Sequence, residues 1–328
     1  MLDSFRDSFR LPDLKRRILF TLAALFIYRL GAHIPTPGVD TAALGRLFDQ
    51  GSLLGFLDLF AGGALSRFSI FALGVTPYIN SSIVLQLLGV VVPSLEKMQK
   101  EGEEGRKKIV QWTRYGTIGF AFIQAVGMTG WLRGLGIYSG GFLDIVLVSL
   151  TLTTGAVAVM WLGEIMSDHG IGNGISLLIF AGIVVRIPEA VIRTVSLVRL
   201  GEMNFLVLLL AIAIMVAVIA GCVMLQEGQR RLPVQYAKRM IGNKMYGGQS
   251  SYIPLRVNTA GVIPIIFASS ILLFPYTIAG LFHHNIARMI QQAMSPTSPI
   301  YIVLYVALII FFSYFYTAVV FKPEEISS

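Results

Sequence analysis

The sequence predicts an all-α membrane protein, a polytopic bundle of eight transmembrane helices, and three observations carry that prediction. Of the 328 residues, 55% are apolar and only 13% charged, against roughly 25% charged in a soluble domain; mean hydropathy is +0.72. Apolar runs near the 20 or so residues needed to cross a hydrocarbon core recur along the chain. Backbone groups in lipid must be satisfied within the segment, and nothing in the chain alternates as the strands of a barrel would.

Seven runs have spanning length: Ile18–Ile34, Phe68–Val92, Tyr115–Leu132, Ile145–Gly163, Phe205–Gln226, Val257–Phe282 and Ile300–Phe321. An eighth, Ile171–Val185, is shorter and continues toward Leu200 as an amphipathic helix. The basic stretch Arg6–Arg17 precedes the first run, but Pro35-Thr36-Pro37-Gly38 follows it where a cleavage site would need small residues, so a retained helix is expected. Cys222, the single cysteine, excludes an internal disulfide and reads as a small packing residue inside the sixth run.

Charge orients the bundle. With the N-terminus in the cytoplasm, the cytoplasmic arm, connections and tail carry 18 Lys and Arg and the opposite connections 7, which is the positive-inside pattern. Arg186, Arg193 and Arg199 are the local exception, since the 164–170 connection has no basic residue. The net charge of +8 is thus read as topology, not as a signal for DNA. The 227–256 connection is long for a helix connection. It interleaves Arg230, Arg231, Tyr236, Lys238, Arg239, Lys244 and Tyr246, which suits either topology alone or docking on an acidic partner or an RNA backbone.

Two runs contain proline among small polar residues. Pro77 stands in the second, with Gln86 further along. Pro264 and Pro275 stand in the seventh, preceded by Asn258. Proline frees a carbonyl and bends a helix, and interrupted spans at matching positions point to a site at a repeat interface. Spans five apart fit two five-helix repeats, although no residue-level similarity between the halves is evident; simple bending remains the alternative. Ser52–Arg67 is apolar, too short to span and broken at Gly62-Gly63. It reads as a re-entrant half-helix hinged at the glycines, or as an amphipathic helix on the membrane surface.

No enzyme constellation is present: no His-Glu-x-x-His, Gly-x-Ser-x-Gly or Walker sequence. The glycine-rich Gly170–Gly174 joins two membrane helices and reads as a tight turn. His33, His169, His283 and His284 lack metal-ligand spacing, so no catalytic residue, metal or cofactor is expected. No carboxylate stands mid-span, as an ion-coupled transporter usually requires; Arg29 lies near a span end, where it can snorkel.

With these residues in view, the chain resembles the SecY family of protein-conducting channels over essentially its whole length. The resemblance rests on Gly62-Gly63-Ala64-Leu65-Ser66-Arg67 with Ile70–Gly74 and Pro77-Tyr78-Ile79. It continues in Lys100–Glu103 with Arg114-Tyr115-Gly116, Trp161–Glu164 with Gly170–Ser176, Tyr236–Arg239, and Asn258–Pro264 with Phe267–Ser270. It implies a ten-helix, pseudo-symmetric fold whose last two helices would lie beyond Ser328, with residues 1–200 as the N-terminal half and 201–328 as part of the C-terminal half. It implies a pore ring of Val75, Ile79, Ile175, Ile179 and Ile266, apolar branched side chains that gate by dewetting. It implies a plug at about 52–67 (Phe56, Leu57, Phe60, Gly62, Gly63, Leu65, Ser66) and a lateral gate between spans 2 and 7 (Pro77, Gln86, Asn258, Pro264). Arg230, Arg231, Lys238, Arg239 and Lys244 would dock partners, although Asn243-Lys244 stands where the family commonly has two arginines. The implied partners are the small subunits SecE and SecG, the motor ATPase SecA, the ribosome, the unfolded preprotein with its signal sequence, and lipid, in a bacterial inner membrane. The competing readings are a secondary transporter of a small solute and a structural scaffold.

Overall fold

The structure, a computed structural model, describes residues 11–39, 44, 58, 61–134, 136, 138, 140–234, 239–241, 244–246, 251–281, 289, 293–294 and 298–320. Among the described residues, ten helices and four strands follow in order: α1 Pro12–Gly31, α2 Thr76–Val91, α3 Pro93–Lys100, α4 Glu103–Gly134, α5 Phe142–His169, α6 Gly174–Val184, α7 Ile187–Arg199, α8 Phe205–Glu227, β1 Gln229–Val234, β2 Arg239–Ile241, β3 Lys244–Tyr246, β4 Ser251–Arg256, α9 Ile263–Leu281 and α10 Pro299–Val320. Each of the eight apolar runs carries a helix. Among the described residues, four stretches are both long and apolar enough to cross a membrane: Phe142–His169, Gly174–Arg199, Phe205–Glu227 and Pro299–Ala318.

The side-chain distribution is that of a protein solvated by hydrocarbon. On α1, Thr21, Ala24, Tyr28 and Gly31 form one buried stripe, while Leu19, Leu22, Phe26 and Leu30 are exposed. A water-soluble helix would place its polar residues outside; here the outward residues are apolar and the inward ones small. The same holds for α4, whose buried stripe is Thr113, Thr117, Ala121 and Ala125. The Thr117 hydroxyl is satisfied within the helix by the Thr113 carbonyl at 2.7 Å. Small inward residues let helices approach closely where no hydrophobic effect drives them together.

Two compact units divide the chain, 1–191 with 266–309 and 192–265 with 310–328. In the first, α4 packs against α2 and α5, and α5 against α6. Ser81 on α2 donates to the Thr113 carbonyl of α4 at 2.8 Å. Gly155 of α5 admits the backbone of Ile70, where a Cβ would stand 1.8 Å from the carbonyl oxygen. An alanine-rich cluster that includes Ala61, Ala64, Ala72, Ala121, Ala125 and Ala156 fills the space around Leu65 and Phe68. A separate cluster joins Leu272 of α9 to the stacked Tyr301 and Tyr305 of α10.

In the second unit, β1 pairs antiparallel with β4 and β2 with β3. Among its described residues, the segment predicted only as a long loop therefore carries two β-strand pairs, with Arg231 stacked 4.9 Å over the Tyr252 ring. Helix α8 is apolar along its length and buries no residue. Cys222, expected as a packing residue, is exposed on it.

The second and seventh runs begin their helices later than the sequence suggests. Residues 68–75 are turns, and α2 starts at Thr76 with Pro77 in its first turn. Pro264 is likewise the second residue of α9. Proline fits a first turn because the amide it lacks has no intrahelical acceptor there. These prolines therefore start helices instead of bending them, which corrects the expectation of interrupted spans at those two positions. Pro275 does fall inside α9.

Candidate functional site: an apolar cluster and a pinned hinge

Four of the five predicted ring residues come together. Val75 is 5% exposed, and Ile79, Ile175 and Ile179 pack as half-buried members of the same apolar cluster, with Val159 and Leu178 at its centre. Two local devices place them. At the start of α2, the Ile79 amide donates to the Val75 carbonyl at 3.1 Å. At the start of α6, Asn173 caps the helix by accepting from the Ser176 amide at 3.0 Å. The Gly170–Gly174 turn that orients α6 is tight: a Cβ at Gly174 would stand 2.2 Å from the Gly163 carbonyl oxygen. Ile266 is half-buried on α9, and its carbonyl accepts from the Ser269 hydroxyl at 2.9 Å.

Both glycines of the predicted plug are left-handed. Gly62 and Gly63 lie at φ 63° and 84°, a region that disfavours residues with a Cβ. Leu65 is buried and Ser66 donates to the Gly63 carbonyl at 3.2 Å. Phe56, Leu57 and Phe60 lie outside the described residues. Asp58, which the sequence reading passed over, is 1% exposed and organises the turn. Its Oδ1 accepts from the Leu65 and Ser66 amides, each at 3.0 Å, and its Oδ2 is ion-paired with Arg186. Arg29 donates to the Gly62 carbonyl at 2.6 Å.

The residues predicted for a lateral gate lie as follows. Pro77 and Pro264 are buried at their helix starts. Gln86 is exposed and donates to Ser82 at 3.3 Å, and Asn258 accepts from the Gly261 amide at 3.0 Å. Of the docking residues, Arg230 and Arg231 are exposed on β1; Arg239 and Lys244 fall on β2 and β3, and Lys238 lies outside the described residues. Arg114 grips Glu164 with two bonds of 3.0 Å, joining α4 to α5. The bond to Glu164 pushes the Arg114 pKa still higher, so the guanidinium stays charged.

Structure also exposes a repeat that inspection of the sequence missed. Gly74-Val75-Thr76-Pro77-Tyr78-Ile79 leads into α2, and Gly261-Val262-Ile263-Pro264-Ile265-Ile266 leads into α9. Both glycines are left-handed, at φ 54° and 62°. The shared Gly-Val-x-Pro-x-Ile pattern aligns two ring candidates, Ile79 and Ile266.

A multi-helix membrane protein with a buried apolar cluster beside a glycine-hinged turn is the class that fold and site define. Among solved structures, the chain is similar to one described as a protein conducting channel, with TM-score 0.60 and 21% identity over 81% of this chain and 58% of that one. It is also similar to Sec61 in the canine ribosome-channel complex from the endoplasmic reticulum, with TM-score 0.53 and 22% identity over 81% and 59% of the two chains. At these identities the likeness is one of fold. The family model described as SecY matches residues 69–328. Protein translocase subunit SecY of Escherichia coli K12 is 48% identical over 327 residues, covering 96% of this chain and 74% of the relative. The Buchnera aphidicola (subsp. Acyrthosiphon kondoi) protein of the same name is 47% identical, covering 96% and 92%. The chain belongs to the SecY family.

Proposed function

We propose that this chain is the channel-forming subunit of a protein translocase, conducting unfolded preproteins across the membrane and releasing apolar segments into lipid between the second and seventh spans. The observation that carries the proposal is 48% identity across 96% of the chain to a protein translocase subunit. In this reading Val75, Ile79, Ile175, Ile179 and Ile266 form a ring that closes around a passing chain and offers ions no polar partner. Gathering of the first four in one cluster supports it. Residues 52–67 form the plug, with Gly62 and Gly63 as its hinge. Pro77, Gln86, Asn258 and Pro264 belong to the gate helices. No bond of the passenger is made or broken, so the driving force comes from a partner.

The finer architecture follows the same reading. Eight spans cross a bacterial inner membrane with the N-terminus inside, and residues 1–200 and 201–328 belong to two pseudo-symmetric halves. The repeated Gly-Val-x-Pro-x-Ile pattern supports those halves. The exposed aromatic residues Trp112, Tyr115 and Trp161 lie within three positions of Arg114 or Glu164 in the sequence, as expected of an interfacial belt. The 227–256 segment, with Arg230, Arg231, Lys238, Arg239 and Lys244, docks SecA or the ribosome; ribosome-bound Sec61 among the fold relatives supports the latter. SecE and SecG complete the complex. A preprotein arrested midway should crosslink to photoreactive probes at Ile79, Ile179 and Ile266. An active complex that gives no such adduct at any of the three would refute the ring.

A further inference from the structure

We propose that Arg186 is a positioning residue of the channel: its ion pair with Asp58 is a latch that holds the plug closed, and the pair must part for the pore to open. The proposal rests on the plug reading above and adds what fixes the plug in place.

The geometry is that of a clamp on one turn. Asp58 is almost fully buried, and both of its carboxylate oxygens are used, one by the Leu65 and Ser66 amides and the other by Arg186. The Gly63 amide closes the same turn on the Asp58 carbonyl at 3.1 Å. From the other side Arg29 holds the Gly62 carbonyl. Gly62 also meets α6 so closely that a Cβ on it would stand 2.8 Å from the Gly182 Cα. Arg186 follows the end of α6, and Arg29 is in the last turn of α1. Two cations on separate elements thus converge on one hinge. The Arg186 side chain remains 29% exposed, so it can be rehydrated on release while Asp58, at 1%, cannot where it stands.

Charge makes this contact selective. The two hinge glycines allow rotation, yet any swing that carries Asp58 away from Arg186 separates two full charges across a poorly hydrated space. Charge-assisted bonds to buried groups are among the stronger ones in a protein. The pair therefore biases the idle channel toward closure without obstructing a chain that has already displaced the plug. It also explains the one basic residue adjoining α6 on the side where positive charge is disfavoured: Arg186 is there for Asp58.

The test uses the full-length channel with its partner subunits, reconstituted in lipid, and reads idle ion conductance. Arg186→Gln should raise it about tenfold, the equivalent of roughly 1.4 kcal/mol, with the conductance of a channel holding an arrested passenger unchanged. Arg186→Lys, which keeps the charge and the fold, should restore most of the seal. Asp58→Asn should leak similarly, and the double variant no more than the worse single one. Deletion of Phe56–Ser66 is the control. If that deletion leaks but Arg186→Gln does not, or if the two single effects multiply, the latch is wrong and the plug stands. If the deletion leaves conductance unchanged, the plug reading fails and the latch with it.

Discussion

Gly155→Ala tests the packing that places the ring. A Cβ at Gly155 would stand 1.8 Å from the Ile70 carbonyl oxygen and 2.8 Å from its carbon, and real contacts essentially never fall below 3.0 Å. Backbone, not a flexible side chain, is in the way, so the chain at Ile70 must retreat by more than an ångström. It is poorly able to do so. The Ile70 amide is bonded to the Ile34 carbonyl at 3.0 Å, the Phe68 carbonyl accepts from Thr36 at 2.9 Å, and Phe68 is buried. Overpacking of this kind costs about 1–3 kcal/mol, and a backbone obstacle belongs at the upper end. About 3 kcal/mol corresponds to a midpoint lowered by roughly 6–12 °C at the scale of a 150–250-residue domain. The assay is thermal unfolding of the purified complex in detergent. Gly119→Ala is the control, because a Cβ there meets nothing within 4 Å and alanine is the better helix former by about 1 kcal/mol. If Gly155→Ala melts within a degree of the parent, or no lower than Gly119→Ala, the close approach of 68–75 to α5 is wrong.

Two further outcomes follow from the surface. Reversing Lys238 and Arg239 to Glu should weaken SecA or ribosome binding, and the loss should shrink as salt rises, measured by sedimentation at two ionic strengths. Arg114→Gln should lower the melting midpoint by only 1–3 °C or so, since exposed ion pairs are worth about 0–1 kcal/mol and the Arg114 side chain is 50% exposed.

Hydropathy made the helices legible because an apolar run in lipid must satisfy its backbone hydrogen bonds within itself, as a helix does. It misplaced the start of α2 for a physical reason. Phe68, Ala72 and Leu73 are apolar because they are buried in protein, and apolarity cannot distinguish that interior from lipid. The β2–β3 pair did leave a trace, Gly242-Asn243 between the paired Ile241 and Lys244, a two-residue hairpin sequence that basic composition overshadowed. The Asp58–Arg186 pair left none. Its members are 128 residues apart, and Arg186 figured only as an exception to the charge rule.

The paired helix starts sharpen what proline does in this fold. A mid-span proline makes a helix a pliable rod that bends at its own centre, as Pro275 allows in α9; α2 has none. Placed in the first turn, proline instead leaves most of the i to i−4 ladder of α2 unbroken and transfers freedom to the residues before it. In both helices a left-handed glycine stands three positions ahead of the proline, Gly74 before Pro77 and Gly261 before Pro264. Motion of α2 is then most easily absorbed at that glycine, outside the helix, whereas α9 can also bend at Pro275 in its interior. Ile79 and Ile266 each stand two residues past the proline, in the first turn of the helix and five residues past the glycine. Side chains so close to a pivot move little when the far end of a rod swings. A ring built there can stay closed around a passing chain while the remainder of the two helices separates, which is the property that sideways release of a passenger would demand.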